Sequence, residues 1–304
     1  MNRYIRIARQ LLTDADYRFL LLAGFGLFDS WDDVKYLKRK FRATIGKELN
    51  LEHPNTFNEK LQWLKLYNRR PEYTMMVDKY LVRDYIAKAI GEEYLIPLLG
   101  VWDDPNEIDF NKLPDQFVLK CNHNSGLGMC ICKDKSKLDL KTVRKELRKG
   151  LKQNYFLTGR EWPYKDIQRK IVCEQYMEDS SGELMDYKVL CFDGEPKLIE
   201  LHQGRFSGNH TQDFYDTNWM RTNITQRGEP LSPSLLPKPE CLEEMLRLSR
   251  KLADGMSHVR IDWYVINGRL YFGEITFFDA SGFDPFDRIE DDMLLGSWIT
   301  LPMR

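Results

Sequence analysis

Two acidic side chains near the end of the chain have the type and spacing that hold a metal ion beside a phosphate. Strand-like runs before and after them flank Asn267-Gly268, a strong hairpin signal. A plain two-residue turn would place Asp262 and Glu274 on opposite faces. A three-residue loop over 266–268, with the glycine left-handed in a bulge, would pair residue 262 with 272 and 260 with 274.

With the three-residue loop, Arg260, Asp262, Glu274 and Thr276 share one face of the hairpin, and the two carboxylates are diagonal neighbours. Two hard oxygen ligands with an arginine beside them suit Mg²⁺ carrying a nucleotide phosphate. The alternative is an ordinary hairpin whose polar face meets water, because half-solvated antiparallel strands are common.

A second pattern is a short strand that ends in Lys120 and runs into a polar, glycine-containing loop. Small residues let backbone N–H groups approach phosphate oxygens, and the lysine supplies a point charge. The loop is not a Walker A loop, because no G-K-[ST] follows, and it lacks the third glycine of a dinucleotide fingerprint. The candidate phosphate-binding residues of this flexible loop are Asn124, Ser125, Gly126 and Gly128.

Lys79 follows Asp78 at the predicted start of a helix over 77–86. A lysine at this end of a helix opposes the helix dipole, which favours a phosphate or carboxylate neighbour. The alternative is an exposed lysine without a ligand.

Another candidate segment is the apolar strand over 171–177, which we expect to leave its sheet and form a hinge. A hinge of this kind offers main-chain N–H and C=O groups to an adenine edge, here near Glu174, Gln175 and Met177. Beyond it, Asp186 and Lys188 fall on one strand face by alternation. Arg205 and Asn209 follow in a polar loop and add donors for an anion.

The elements that position these residues read as helices followed mainly by antiparallel strands, which predicts an α+β fold. Helices are predicted by apolar periodicity, and strands by short apolar runs between turn signals. The main predicted helices are 57–66, 140–151 and 241–253, and the main strands are 117–121, 129–133, 171–177, 187–192 and 196–202.

Composition excludes some classes of protein and leaves others open. The 304 residues are 42% hydrophobic and 30% charged, as in ordinary soluble globular proteins. A net charge of −1 gives no reason to expect nucleic acid as a partner, although residues 133–170 are locally basic. The six cysteines form no zinc-site spacing, so reduced thiols and a cytosolic setting are expected.

The N-terminal apolar run over 19–28 is about half the length that spans a bilayer. No small-residue cleavage site follows it, so we do not expect a signal peptide. A helix packed on the core is the expected structure. Peripheral contact with the inner face of a membrane is the alternative.

The order of these patterns resembles the ATP-grasp superfamily. By that resemblance, Lys79 and Lys120 contact nucleotide phosphates, residues 122–129 form the lid, and residues 174–177 hold adenine. Asp262, Glu274 and Thr276 would hold Mg²⁺, although superfamily members usually have asparagine at the last position. The elements D-x-R and R-x-x-x-N of amino-acid-ligating members are matched by Asp186, Lys188, Arg205 and Asn209.

More narrowly, several sequence segments resemble the TupA-like ATP-grasp family, which is associated with surface-polysaccharide (teichuronopeptide) biosynthesis. They are FNEKLQWL from residue 57, VDKY from 77, IPLLGVW from 96, FVLKCNH from 117 and GREWPY from 159. The resemblance implies two α+β subdomains gripping ATP, over 77–177 and 178–304. A helical segment over 1–76 replaces the usual N-terminal substrate domain.

The activity implied by this resemblance is carboxylate–amine ligation dependent on ATP and Mg²⁺. ATP would phosphorylate a carboxylate, and the amine of an amino acid or acidic peptide would displace phosphate from the acylphosphate. Arg260, Arg205 and Lys188 are the expected catalytic residues, and a uronic acid or polysaccharide carboxylate is the expected acceptor.

Two other classes of function remain open from the sequence. A glycosyltransferase of polysaccharide assembly would use a D-x-D motif, and Asp14-Ala-Asp16 is a weak match because no strand precedes it. A nucleotide- or RNA-binding module could use the basic stretch after Lys133, but that stretch lacks interleaved aromatic residues.

Overall fold

The computed structural model describes residues 10–178, 185–203 and 210–303. Helices precede the strands in the first third of the chain and recur between and after them. The helices are α1 (Ala15–Gly24), α2 (Asp33–Ile45), α3 (Phe57–Tyr67), α4 (Glu72–Val77), α5 (Val82–Ala89), α6 (Leu140–Lys152), α7 (Phe156–Gly159), α8 (Leu242–Leu252) and α9 (Ile289–Ser297). The predicted helices over 57–66, 140–151 and 241–253 are therefore confirmed.

The strands form two separate antiparallel sheets. The strands are β1 (Leu98–Trp102), β2 (Phe117–Cys121), β3 (Cys130–Cys132), β4 (Ile171–Gln175), β5 (Asp186–Phe192), β6 (Glu195–Gln203), β7 (Thr211–Asp216), β8 (His258–Ile266) and β9 (Arg269–Thr276). Four of them form a sheet in the order β1-β4-β2-β3, and five form a sheet in the order β7-β6-β5-β8-β9. The α+β fold class is confirmed.

Short 3-10 turns connect several of these elements. They are Glu92–Tyr94, Pro105–Glu107, Phe110–Lys112, Lys135–Lys137, Trp162–Tyr164 and Asp279–Gly282. The last of them directly follows β9, the strand that carries Glu274, so its conformation helps to shape the candidate site.

Each sheet packs on its own apolar cluster. A small cluster lies between the four-stranded sheet and α6, with Phe117, Leu147 and Ile171 at its centre. The larger cluster joins the five-stranded sheet to α8 and also includes N-terminal residues such as Phe41 and Leu61. Burial of apolar surface therefore ties the N-terminal helices to the sheet that carries the acidic pair. The domain boundaries given above stay predictions.

Helix α1 covers only part of the predicted apolar run. Phe19 is buried and stacks on Phe28, which confirms packing on the core. The run then leaves the helix, and Phe25 and Leu27 are exposed. Among the residues that the structure describes, no helix has both the length and the apolar character needed to cross a bilayer.

All six cysteines are free, as expected for reduced thiols. Five are buried, and Cys130 is half-buried. Burial raises the pKa of Cys121 to about 11 and that of Cys173 to about 12, so both stay protonated at neutral pH.

Candidate functional site

The hairpin of β8 and β9 turns through two residues, so the predicted three-residue loop was wrong. Ile266 pairs with Arg269, and Asn267 and Gly268 have φ values of 52° and 77°. Two successive left-handed residues give the type I′ geometry that matches the twist of a hairpin. With this turn alone, Asp262 and Glu274 would lie on opposite faces.

A β-bulge at Gly273 brings the two acids to the same face. Trp263 pairs with Phe272, whereas Asp262 pairs with Glu274, so one residue on β9 has no partner. A Cβ at residue 273 would lie 3.0 Å from the carbonyl oxygen of Asp262, so glycine suits this close approach. The predicted pairing of 262 with 272 was therefore wrong, and the two acids are direct rather than diagonal neighbours.

Arg260 binds both acids from the same face. Its Nε and Nη2 lie 2.7 and 2.8 Å from the carboxylate oxygens of Asp262, a bidentate ion pair. Its Nη2 lies 3.3 Å from Glu274 Oε1 and 3.4 Å from Thr276 Oγ1. The remaining nitrogen, Nη1, donates to Asp279 in the turn after β9. One buried guanidinium thus fixes the candidate metal ligands.

Neighbouring charges move the pKa values of the two acids apart. Burial raises the pKa of Asp262 to about 6, against the opposing charges of Arg260 and Lys188. Burial also favours the neutral form of Glu274, but Lys79 and Arg260 hold the pKa of that carboxyl at about 2. Glu274 is consequently ionised at neutral pH, and a divalent cation would favour ionisation of Asp262 as well.

This oxygen-rich set fits Mg²⁺ if the ion takes its other ligands from phosphate and water. Asp262, Glu274 and Thr276 offer two carboxylates and a hydroxyl, the hard donors that Mg²⁺ prefers. Among residues 10–178, 185–203 and 210–303, no group of three or more His, Cys, Asp or Glu side chains is placed to hold a metal by itself.

Lys188 extends the charged surface onto β5. Its Nζ lies 3.4 Å from Asp186 Oδ2 and 3.5 Å from Asp262 Oδ2, and strand pairing sets it directly beside Asp262. The predicted common face of Asp186 and Lys188 is confirmed. Arg205 and Asn209 lie outside the described residues, so their roles stay predictions.

Lys79 lies between two short helices, and the single predicted helix over 77–86 was wrong. Helix α4 ends before Asp78, whose carboxylate accepts from the backbone N–H groups of Tyr80 and Leu81 ahead of α5. The Nζ of Lys79 donates to Asn124 O at 2.9 Å and lies 3.3 Å from Glu274 Oε2. It therefore joins the predicted lid loop to the metal-type acids.

Lys120 lies on β2 of the four-stranded sheet and pairs with the adjacent strand. Its Nζ is 2.6 Å from Glu174 Oε2, and Arg83 Nη1 is 3.4 Å from the other oxygen of that carboxylate. The side chain of Glu174, predicted to face adenine, is thus engaged by two cations. Sequence reasoning missed Arg83, which lies four residues beyond Lys79, in the first turn of α5.

The proposed adenine hinge follows β4 directly. The backbone N–H of Gln175 donates to Pro97 O at 3.0 Å and is therefore occupied. Met177 lies two residues beyond the end of the strand, so residues 176 and 177 are better placed than Gln175 to offer backbone groups.

The lid loop has an exposed tip and a buried anchor. Ser125 and Gly126 are exposed at the tip, where backbone N–H groups can meet a phosphate. The Asn124 side chain instead donates to Gly150 O and Gln153 Oε1 on and after α6. Gly128 packs against Gly150, where a Cβ would come within 2.8 Å of the Gly150 Cα. These two residues therefore hold the loop rather than reach a ligand.

Asp279 is a second site residue that the sequence analysis missed. It is held in a turn whose next residues, Ala280 and Ser281, have left-handed φ values of 44° and 56°. Lys65 on α3 is buried and donates to Ser281 O at 2.6 Å, which supports that strained backbone. The only signal in the sequence was the position of Asp279 shortly after a strand.

Two cavities lie apart from this charged cluster. One of about 500 Å³ lies between β6, β7 and α9, and one of about 770 Å³ abuts Gln175 and Tyr176 at the end of β4. Neither is lined by the metal-type acids or by the two phosphate-type lysines.

Comparison with protein families identifies the class to which this fold and site correspond. A family model described as TupA-like ATP-grasp matches residues 59–300. Because the match covers most of the sequence, the chain belongs to the TupA-like ATP-grasp family. Its class is thereby that of the ATP-grasp proteins.

Solved structures with a similar fold include the D-alanine–D-alanine ligase of Helicobacter pylori. It is 14% identical, with a TM-score of 0.44 over 81% of this chain and 70% of that enzyme. The D-alanine–D-alanine ligase of Bacillus anthracis complexed with ATP is 15% identical, with a TM-score of 0.40 over 67% and 54%. No curated protein matches the sequence. Likenesses this distant do not bear on the substrate.

Proposed function

We propose that the protein uses ATP and Mg²⁺ to join the amine of an amino acid or acidic peptide to a carboxylate of a bacterial surface polysaccharide or its precursor. The observation that carries this proposal is the contact between the two halves of the site. Lys79 reaches Glu274, and Arg260 binds Asp262 and Glu274 on the same sheet face. The groups to which phosphate binding and metal binding are assigned thus lie in contact with one another.

In this reaction the acceptor carboxylate attacks the γ-phosphorus of ATP, the bond to the bridging oxygen breaks, and ADP leaves. A bound Mg²⁺ would lie on Asp262, Glu274 and Thr276 and neutralise phosphate charge. Lys79, Lys120 and Lys188 supply further positive charge, and Arg260 is placed to steady the acylphosphate oxygens. The amine then attacks the carbonyl carbon, and phosphate leaves. No side-chain nucleophile takes part.

The polysaccharide acceptor is supported by the family resemblance of the sequence rather than by a contact in the site. The reaction would take place in the cytoplasm, where ATP is supplied. Peripheral contact with the membrane stays a prediction, and the exposed Phe25 and Leu27 after α1 are the side chains that it would use.

Glycosyl transfer is less well supported. Asp14 caps α1 by accepting from the backbone N–H groups of Asp16 and Tyr17, and Asp16 forms an ion pair with Arg39. Both carboxylates of the D-x-D motif are therefore engaged in a helix and not at a sheet edge. An RNA-binding role for the basic helix α6 is weakened similarly, because Arg144 and Arg148 donate to residues 105–108.

The test is a screen for ADP release that depends on both an acceptor and an amine. Purified protein is incubated with Mg-ATP, each amino acid in turn, and D-glucuronate, D-galacturonate or their oligomers. The expected result is ADP release that requires both partners and ends with EDTA, together with an amide product detected by mass. Turnover of a sugar nucleotide without ATP would contradict the proposal and favour glycosyl transfer.

A further inference from the structure

The segment over residues 155–164, which contains the sequence GREWPY, lies along one side of the candidate site. Its start is fixed to the lid loop through Gln153. The carbonyl oxygen of Gln153 lies 3.1 Å from His123 Nε2, and the side-chain oxygen of Gln153 accepts from Asn124 at 3.0 Å. The segment begins two residues later, so it starts beside the loop to which phosphate binding is assigned.

The middle of the segment is fixed to the turn that begins with Asp279, the partner of Arg260. The buried Nζ of Lys65 donates to Gly159 O at 2.8 Å and to Ser281 O at 2.6 Å. A Cβ at residue 159 would overlap Ser281 Oγ, so glycine permits this close approach. The segment is therefore held beside the Asp279 end of the Arg260 guanidinium.

The end of the segment is fixed by stacked aromatic rings. Trp162 stacks on Tyr73 of α4 with ring centroids 6.1 Å apart, and Tyr73 stacks on Phe277 at 3.7 Å. Phe277 directly follows Thr276, one of the candidate metal ligands. Three separate attachments thus hold the segment against the lid loop and against the chain that follows β9.

Two tyrosines of this segment, Tyr155 and Tyr164, form a corner of nearly perpendicular rings, here called the tyrosine pair. The ring centroids are 4.9 Å apart, and the ring planes meet at 77°. Both side chains are half-buried. Neither hydroxyl has a hydrogen-bond partner within the part of the chain that the structure describes. The pair therefore offers an aromatic surface and two hydroxyl groups to a ligand.

The charges that act on the tyrosine pair are those of the candidate site. Burial raises the pKa of both hydroxyls, and the carboxylates of Glu161 and Glu274 raise it further, against the opposing charge of Arg260. Both tyrosines consequently stay protonated at neutral pH and can each donate and accept a hydrogen bond. A neutral aromatic pair thus lies within the field of the residues assigned to metal and acylphosphate.

The surroundings of the pair suit a hydroxylated ring better than an amino acid. An amino acid needs a cation for its carboxylate, but Lys40 and Lys65 donate to carbonyl groups of the segment, and Arg260 binds three carboxylates. A pyranose ring instead needs an apolar surface for its C–H groups and neutral partners for its hydroxyls. The one carboxylate of a uronic acid is the reacting group and needs no second cation.

We propose that Tyr155 and Tyr164 form the acceptor subsite, in which they bind the pyranose ring of a uronic acid while its carboxylate lies at Arg260. This inference rests on the ligase function proposed above and names the residues that recognise its acceptor. A tyrosine ring packs against the C–H groups of the sugar, and the tyrosine hydroxyls bond to the sugar hydroxyls. The pair thereby selects a ring-bearing carboxylate.

Sugar binding is measured without turnover, so that the subsite and the ligase function can fail separately. Full-length protein is loaded with Mg²⁺ and a non-hydrolysable ATP analogue, and D-glucuronate, D-galacturonate and their oligomers are titrated by ligand-observed NMR. Tyr164→Phe removes one hydroxyl and keeps the ring, so the Kd for the sugar should rise about 3- to 10-fold. Tyr164→Leu also removes the aromatic surface, and the Kd should rise more than about 10-fold.

The matched control is Tyr67→Phe, on an exposed side chain at the end of α3. This control should leave the Kd for the sugar unchanged, and every variant should bind the ATP analogue as the unsubstituted protein does. Tyr164→Phe decides the question if Tyr164→Leu does not fold. An unchanged Kd for the sugar in Tyr164→Phe would overturn the subsite.

Amide formation then separates the subsite from the proposed function. In Tyr155→Phe and Tyr164→Phe, KM for the uronic acid should rise, while KM for ATP should stay within about twofold. If the unsubstituted protein forms an amide from a uronic acid and these variants keep its KM, the subsite is wrong and the ligase function stands. If it binds uronic acids through the tyrosine pair but forms no amide, the subsite stands and the ligase function is wrong. Binding of no uronic acid would contradict the subsite outright.

Discussion

The two sheets hold their charged residues in different ways. On the five-stranded sheet, Arg260 contacts three carboxylates, and the side chains of Arg260 and Asp262 are at most 10% exposed. On the four-stranded sheet, Lys120 contacts one carboxylate, that of Glu174, and is about a fifth exposed. One sheet thus presents a fixed network of charges around Arg260, whereas on the other Lys120 has one carboxylate partner, which it shares with Arg83.

This difference matches what the two proposed ligands, a metal ion and a polyphosphate, require. A metal ion needs oxygen ligands at fixed separations, and a planar guanidinium with several donors holds carboxylates in a fixed geometry. A polyphosphate needs a charge that can follow it, and a lysine on a flexible stem with one partner can exchange that partner for phosphate. Substitutions on the two sheets should therefore have different consequences for binding and for folding.

The largest effect is expected for Asp262→Asn on the fixed network. Loss of a ligand charge should reduce ADP release at least about 10³-fold and abolish the effect of Mg²⁺ on nucleotide binding. Arg260 keeps Glu274 and Asp279 as partners, so the protein should still fold. Steady-state ADP release measures the activity. Thermal melting with and without Mg-ATP measures folding and the effect of Mg²⁺ on nucleotide binding. Normal activity in this variant would remove the acidic pair from the mechanism.

Strand β8 also carries His258, a histidine that is buried without a charge. Burial lowers the pKa of His258 to about 3, and its ring packs against Phe57 and Phe192. In the unfolded chain this histidine takes up a proton below about pH 6.5. The folded protein binds fewer protons between those values, so stability should fall as pH drops from 6.5 toward 3, by on the order of 4 kcal/mol.

His258→Leu should remove that part of the acid sensitivity. Urea unfolding at pH 7 and pH 4 should show a smaller loss of stability in the variant than in the unsubstituted protein. The exposed His53→Leu is the control and should leave the loss unchanged. An identical loss in the His258 variant would show that other groups cause the acid sensitivity.

Lys120→Met tests the ion pair between Lys120 and Glu174 on the four-stranded sheet. The expected result is an ATP-dependent activity reduced about 10²-fold, mainly through a raised KM for ATP, because one phosphate contact is lost. Folding should persist, since Glu174 keeps Arg83 as a partner. Lys112→Met, on an exposed side chain, is the control. If the variant unfolds, the folded state depends on the Lys120 ion pair, and the contrast with Arg260 is lost.

The smallest effect is expected where the lid loop meets α6. In Gly150→Ala, the new Cβ would lie 2.7 Å from both Cys121 Sγ and Gly128 Cα. Overpacking of this kind should lower the free energy of unfolding by about 1–3 kcal/mol. Gly24→Ala at the end of α1 meets nothing within 4 Å and should be neutral or slightly stabilising. Equal stability of the two variants would argue against a fixed anchor for the loop.

Much of the secondary structure was predictable because its signals are local. The Asn267-Gly268 turn marks the hairpin, and the apolar run at 117–121 forms β2 as predicted. The clearest failure among the predicted helices is at 77–86, where the Asp78 carboxylate accepts from the backbone N–H groups of Tyr80 and Leu81 and the chain turns before α5 begins. A side chain that bonds to nearby backbone N–H groups competes with continued helix, and periodicity alone does not reveal that competition.

The sequence by itself determined the order of the motifs, the α+β fold class and the candidate cations and acids, because these depend on residue type and local period. Only the tertiary structure decided how those residues meet. Three features depend on strand register and on contacts that the sequence does not show. They are the bulge at Gly273, the partners of Glu174, and the contacts of His202 with Glu200 and of His210 with Glu229. Such contacts are set by which apolar faces are buried together, and local sequence carries no record of that choice.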